Sequence, residues 1–189
     1  MNINPLDNET LDKINLLKRL IVCHSDIQIS LSAITFLIDE LDNEKKYNTI
    51  QFRRLKCYET TFVTGYGRAF TDSSGGRYTK LSLKKIGLKL TDAERAIHKK
   101  ILAARHRKFA HSDFITAHIR IDLHSLEING ESIHYPRTQW DEELYFVDIM
   151  ELYRIATLQH KIIHHIIKCT TEIVIELKDC LPIYLRPVE

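Results

Sequence analysis

Two long segments of the chain space their apolar residues three or four positions apart, which is the repeat of an α-helix. They cover residues 11–41 and residues 141–177. Each segment gains an apolar side that has to be buried, so both are expected to pack against other helices. In the first segment, Ser25 and Asp26 could cap a new helix, which would divide the segment into a short helix and a longer one. The second segment is compatible with one long helix or two.

Two further helices are indicated between these segments. Helical spacing extends over residues 47–70 and is followed by the polar, glycine-rich residues 71–76, which predict a mobile loop. The next helix begins at Thr91, because Thr91 and Glu94 have the spacing of a capping box, and it extends to about Phe109.

A small β-hairpin is predicted over about residues 117–136. Polar and apolar residues alternate over residues 118–124, and Asn129-Gly130 is a preferred pair for a two-residue turn. This turn would place Leu126 opposite Ile133, with a bulge near Ser125, where the apolar phase changes. The predicted fold is therefore mainly α, a helical bundle with a small β-hairpin insertion, as one domain over residues 1–189.

The composition predicts a cytoplasmic protein, and its overall charge does not by itself indicate a nucleic-acid partner. The 27 basic and 25 acidic residues nearly cancel, so any basic site has to be local. The four cysteines are scattered without a Cys-x-x-Cys pair, which favours reduced thiols. The amino terminus lacks the features of a secretory signal, and the longest uncharged run, residues 27–38, is too short to cross a bilayer. No membrane span is predicted.

The basic stretch Arg105-His-Arg-Lys-Phe-Ala-His111 is the best candidate for a local site. Arginine offers a planar fork of donors for a phosphate, and histidine transfers protons near neutral pH. Together these groups suit the cleavage of RNA, whose 2′-hydroxyl can attack the neighbouring phosphorus without a metal or another cofactor.

This stretch resembles the Arg-x(4–6)-His signature of the HEPN superfamily. The resemblance implies a compact helical bundle that forms a homodimer, in which both copies of the motif line one cleft and cleave RNA without metal. Arg105 would stabilise the phosphate, His111 would be the essential histidine, and His106 occupies a position that is often Asn. Many such proteins act in toxin–antitoxin or antiphage systems, so RNA and a regulatory protein such as an antitoxin are the implied partners.

A second element, Tyr66-Gly-Arg-Ala-Phe70, is similar to a Tyr-x-Arg-Pro-Phe element that precedes the motif in some HEPN-like proteins. The similarity implies that Tyr66 and Arg68 support the site or bind RNA. General burial tendencies favour the alternative, in which Arg68 is a surface or ion-pair residue and Tyr66 and Phe70 belong to the core.

Helical geometry leaves the arrangement of the motif open. On an ideal α-helix, a six-residue offset turns His111 about 120° away from Arg105. Either the helix is distorted or ends before His111, or the two residues meet across a two-fold axis. Arg107, four residues before His111, is a rival for the phosphate role.

Two alternatives to catalysis remain from the sequence. The basic stretch could simply complement the negative end of a helix, and the chain could be a non-catalytic HEPN-like module that binds RNA or protein. His160 and His164 have the spacing of two metal ligands on a helix, but no third ligand follows at a recognisable spacing. No metal site is therefore predicted.

Overall fold

The computed structural model describes residues 7–72, 79–109, 119–140, 143–182 and Leu185. In chain order these residues form helices α1 (Asn8–Glu40), α2 (Thr49–Ala69) and α3 (Asp92–Ala104), a π-helical turn (Arg105–Phe109), strands β1 (Ile119–Ile128) and β2 (Glu131–Trp140), and helix α4 (Ile149–Leu177). The predicted class, mainly α with a small hairpin, is confirmed. The predicted mobile loop and the carboxyl-terminal tail fall largely outside the described residues.

Helix α1 is continuous over 33 residues, so the predicted break at Ser25 and Asp26 is wrong. Its buried positions run on through this region, from Cys23 to Ile27. Asp26 caps no helix, because its carboxylate faces the guanidinium of Arg68 on α2, with 3.9 Å between Oδ1 and Nη1. Tertiary contacts therefore outweigh the local capping preference.

By length and composition alone, α1 would also be able to cross a membrane, with a hydropathy of 1.6 in its most apolar stretch. The core helix of a folded domain meets the same criterion. In this fold the apolar side of α1 packs against α2 and α4, and Leu17, Leu20 and Ile27 have no exposed surface. The predicted absence of a membrane span stays a prediction.

The starts of the other helices are set by polar caps. Asn48 and Gln51 form a capping box at α2, and Thr91 and Glu94 form the predicted one at α3. Helix α4 is one helix rather than two, and it follows the cap Asp148 instead of starting at residue 141. The sequence therefore predicts where α2 and α3 start more accurately than where α4 starts.

The core lies where α1 packs against α2 and α4, while α3 packs on α2. Phe62 of α2 meets Phe146 edge to face, with 5.0 Å between the ring centroids. The buried guanidinium of Arg19 donates hydrogen bonds to the carbonyls of Arg68 and Ala69. A cation at the carboxyl end of α2 complements the helix dipole.

Strands β1 and β2 pair one to one over their whole length, so the predicted bulge near Ser125 is wrong. The predicted pairing of Leu126 with Ile133 is confirmed. The change of apolar phase has another cause, because Ile121 and Leu123 lie on one face of the hairpin, whereas Leu126 and Ile133 lie on the other.

The hairpin turn has the predicted position. Asn129 and Gly130 have positive φ angles of 54° and 82°, as a type I′ turn requires. Strand β2 continues past the predicted end at Pro136 as far as Trp140. Among the described elements, each strand makes extensive contacts only with the other strand.

Candidate functional site

The basic stretch begins where α3 stops being a regular α-helix. Arg105 is the first residue of the π turn, whose hydrogen-bonded rings contain one residue more than those of an α-helix. Convergence of Arg105 and His111 within one chain requires a distorted helix or a helix end, and the helix is distorted from Arg105 onward. His111 lies outside the described residues, so its distance from Arg105 stays untested.

The Arg105 side chain lies against Gly67 in the last turn of α2. A Cβ atom at Gly67 would be 2.2 Å from Cδ and 2.8 Å from Nε of Arg105, so any larger residue would displace the arginine. The two sequence elements that resemble HEPN-like proteins are therefore in direct contact. Helical spacing within either element could not reveal this contact, because it joins two helices.

Beside this contact, His98 joins α3 to the Tyr66 element. Its Nδ1 shares a 2.7 Å hydrogen bond with the Tyr66 hydroxyl, and its ring meets Phe70 edge-on at a centroid distance of 4.8 Å. Burial lowers the pKa of His98 and raises that of Tyr66, which keeps both groups uncharged near neutral pH. His98 was not a predicted site residue, although it precedes Arg105 by seven positions and so shares its helix face.

Tyr66 has no exposed surface and belongs to the core, as the alternative interpretation expected. A fully buried side chain is not accessible to RNA, so any contribution of Tyr66 to the site has to act through its neighbours. Arg68 is exposed, and its guanidinium points toward Asp26 of α1 rather than toward Arg105. If Arg68 supports the site as predicted, it does so from a different side of α2 than the side that contacts Arg105.

His106 and Arg107 are exposed, and Arg105 is half-buried. In the described part of the chain, no carboxylate forms a salt bridge with any of these three residues. The π turn thus presents consecutive basic groups that are not neutralised by the described side chains. Such a surface suits an anionic ligand.

Glu59 holds the segment before α4 close to the π turn. This carboxylate is fully buried and accepts hydrogen bonds from the backbone N–H groups of Tyr145 and Phe146 and from Nζ of Lys56. The Lys56 side chain is only 19% exposed, which is unusual for a lysine on a surface helix. Its contact with Glu59 explains this low exposure.

Metal ligands do not cluster in the described residues, where no group of three or more His, Cys, Asp or Glu side chains could hold an ion. His160 and His164 are exposed on α4. The adjacent His165 turns away from them, with Nδ1 3.1 Å from the carbonyl oxygen of Ile86. The described surroundings supply no third ligand to the pair.

No family model, curated protein or solved structure matches this chain. The resemblance to the HEPN superfamily therefore depends on the sequence motif itself. The contacts of Arg105 provide the structural basis for a functional proposal.

Proposed function

We propose that this chain is a metal-independent endoribonuclease of the HEPN type that acts as a homodimer. The observation that carries the proposal is the setting of Arg105, which packs on Gly67 at a π turn beside the exposed His106 and Arg107. A guanidinium binds phosphate in a planar, two-pronged geometry. Single π-helical turns are rare in proteins, and many of those that occur lie at functional sites.

In the proposed reaction, RNA supplies its own nucleophile and neither a metal nor a cofactor takes part. His111 accepts the proton of the 2′-hydroxyl as its oxygen attacks the adjacent phosphorus. Arg105 stabilises the extra negative charge on the phosphate, with Arg107 as the competing candidate and His106 as a further hydrogen-bond donor. The bond to the 5′-oxygen breaks, and this oxygen takes up a proton. The products carry a 2′,3′-cyclic phosphate and a 5′-hydroxyl.

The proposal places the substrate and the protein in the cytoplasm. An enzyme that cleaves RNA has to be restrained, so an antitoxin or another regulatory protein is the proposed partner. This assignment, together with a role as a toxin or in antiphage defence, follows from the family resemblance.

The test is cleavage of mixed cellular RNA in the presence of a chelator. Arg105→Ala and His111→Ala are each expected to lower the rate by about 100-fold or more, and the wild-type products should carry cyclic phosphate ends. Arg95→Ala is the matched control, because Arg95 is an exposed arginine on the same helix and should leave the rate unchanged. Activity that survives both motif substitutions would exclude the proposed site.

The alternative function is a non-catalytic HEPN-like module that binds RNA or protein through the same basic surface. RNA binding without detectable cleavage, weakened by Arg105→Ala, would favour this alternative. Comparing Arg107→Ala with Arg105→Ala decides which arginine contacts the phosphate. Light scattering of the purified protein would test the proposed dimer separately.

A further inference from the structure

Two lysines from different helices converge next to the π turn. Nζ of Lys56 donates a hydrogen bond to the carbonyl oxygen of Glu143 at 2.7 Å, and Nζ of Lys108 donates to the same oxygen at 3.2 Å. The two ammonium groups are therefore no more than about 6 Å apart, a separation at which like charges repel appreciably near a protein surface. An anion between them would relieve this repulsion.

The two lysines differ in their carboxylate partners among the described residues: Lys56 forms a salt bridge with Glu59 at 2.8 Å, whereas Lys108 forms none. Glu59 is engaged by two backbone N–H groups and by Lys56. Burial and then the proximity of Lys56 lower the pKa of Lys108, and the charges of Glu59 and Glu143 oppose this shift only in part. Lys108 is thus available to an added anion.

An exposed aromatic ring lies beside Lys108. Tyr145 is 42% exposed, and Nζ of Lys108 lies 5.5 Å from its ring centroid. Lys100 approaches the same ring at 5.6 Å, but Lys100 is already paired with both oxygens of Glu151. Aromatic rings next to basic groups are typical of surfaces that bind single-stranded nucleic acids.

We infer that Lys108, with the positive charge of Lys56 beside it, binds one phosphate group of the RNA strand on which Arg105 acts, and that Tyr145 contacts the neighbouring nucleoside. Lys108 lies in the same π turn as Arg105, so a strand bound at Arg105 passes close to this pair. The inference rests on the proposed function, because it assigns a subsite of that substrate.

The test is binding of a fluorescent, fully 2′-O-methylated RNA oligonucleotide, which cannot be cleaved because its nucleophile is blocked. Lys108→Gln should weaken binding by about fivefold or more and reduce the salt dependence of binding by about one phosphate contact. Tyr145→Ala should weaken binding by about fivefold or more, whereas Tyr145→Phe should retain most of the affinity. Circular dichroism of each variant checks the fold.

Lys168→Gln is the matched control. Lys168 is an exposed lysine on α4, about 25 Å along the helix from Glu151, and its substitution should change affinity less than twofold. Equal effects of Lys108→Gln and Lys168→Gln would overturn the subsite. If Arg105→Ala abolishes cleavage while Lys108→Gln and Tyr145→Ala bind normally, the subsite alone is wrong. A wild-type protein that neither binds nor cleaves RNA would overturn the subsite and the proposed function together.

Discussion

The helical bundle has a core of fully buried apolar side chains, whereas every large apolar side chain described in the β-hairpin is at least 40% exposed. Phe62 and Ile155 in the bundle have no exposed surface, while Ile121 and Leu123 in β1 are 66% and 73% exposed. The bundle is therefore stabilised by contacts between helices. The hairpin is held by its own ladder and its turn, and an isolated two-stranded hairpin is marginally stable in water.

The largest change in stability is expected when a buried side chain of the bundle is truncated, and an exposed side chain of the hairpin provides the direct comparison. Phe62→Ala should lower the free energy of unfolding by about 3–5 kcal/mol, because it leaves a cavity against Phe146. Leu123→Ala should change it by less than about 0.5 kcal/mol. Urea denaturation followed by circular dichroism measures both values, and similar losses would show that the hairpin contributes to the core.

A smaller loss is expected at the junction between the hairpin and the bundle. Glu59→Gln should cost about 2–3 kcal/mol, because it removes the charge that accepts hydrogen bonds from two backbone amides and Lys56. Glu40→Gln, which weakens a more exposed ion pair with Arg54, should cost less than about 1 kcal/mol. Equal denaturation midpoints for Glu59→Gln and the wild type would contradict the anchoring role.

Replacing one buried polar side chain of the bundle, that of Gln159, should increase the stability of the protein. Gln159 has no exposed surface, and neither polar atom of its amide has a hydrogen-bond partner in the described part of the chain. Gln159→Leu should therefore raise the free energy of unfolding by about 1–2 kcal/mol. Thermal melting would detect this gain, and a lower melting temperature would mean that the amide is needed.

The partly buried contact between Tyr66 and His98 predicts a pH dependence of the stability of the bundle. Burial lowers the pKa of His98 from 6.5, so the unfolded chain binds the proton before the folded chain does. Stability should fall as the pH decreases below about 6.5 toward the folded-state pKa. His98→Gln should reduce this dependence, while substitution of the exposed His164 by Gln should not. An unchanged pH profile in His98→Gln would rule out His98 as the source.

The smallest effect is expected from removing the hairpin. Replacement of residues 114–140 by a linker of about six glycines and serines should change the free energy of unfolding by less than about 1 kcal/mol. The nearest described residues on either side of this segment are close together, because Nζ of Lys108 donates a hydrogen bond to the carbonyl oxygen of Glu143. A variant that fails to fold would show that the hairpin and the bundle are interdependent.

Local sequence signals predicted those parts of the fold that neighbouring residues determine. The Thr91 capping box and the Asn129-Gly130 turn occur where the sequence placed them. The break in α1 was predicted wrongly, since Asp26 is held by Arg68 from another helix. The bulge was predicted wrongly because apolar residues can lie on either face of a hairpin whose described residues do not pack against the helices.

The candidate site was only partly predictable for the same reason. The residue types and spacing of residues 105–111 identified the basic stretch. The contact of Arg105 with Gly67, and the bond between Tyr66 and His98, join helices and depend on tertiary packing. The spacing of residues within one segment of the sequence could not reveal these contacts between helices.

The π turn makes this region sensitive to the length of the chain. Because a π-helical ring holds one residue more than an α-helical ring, deleting a single residue within Arg105–Phe109 would let α3 continue as a regular helix. Such a deletion would also shorten the basic surface by one residue and change the spacing of the remaining basic groups relative to Arg105. Changes in the length of this segment are therefore expected to alter the basic surface in a way that substitutions of single side chains do not.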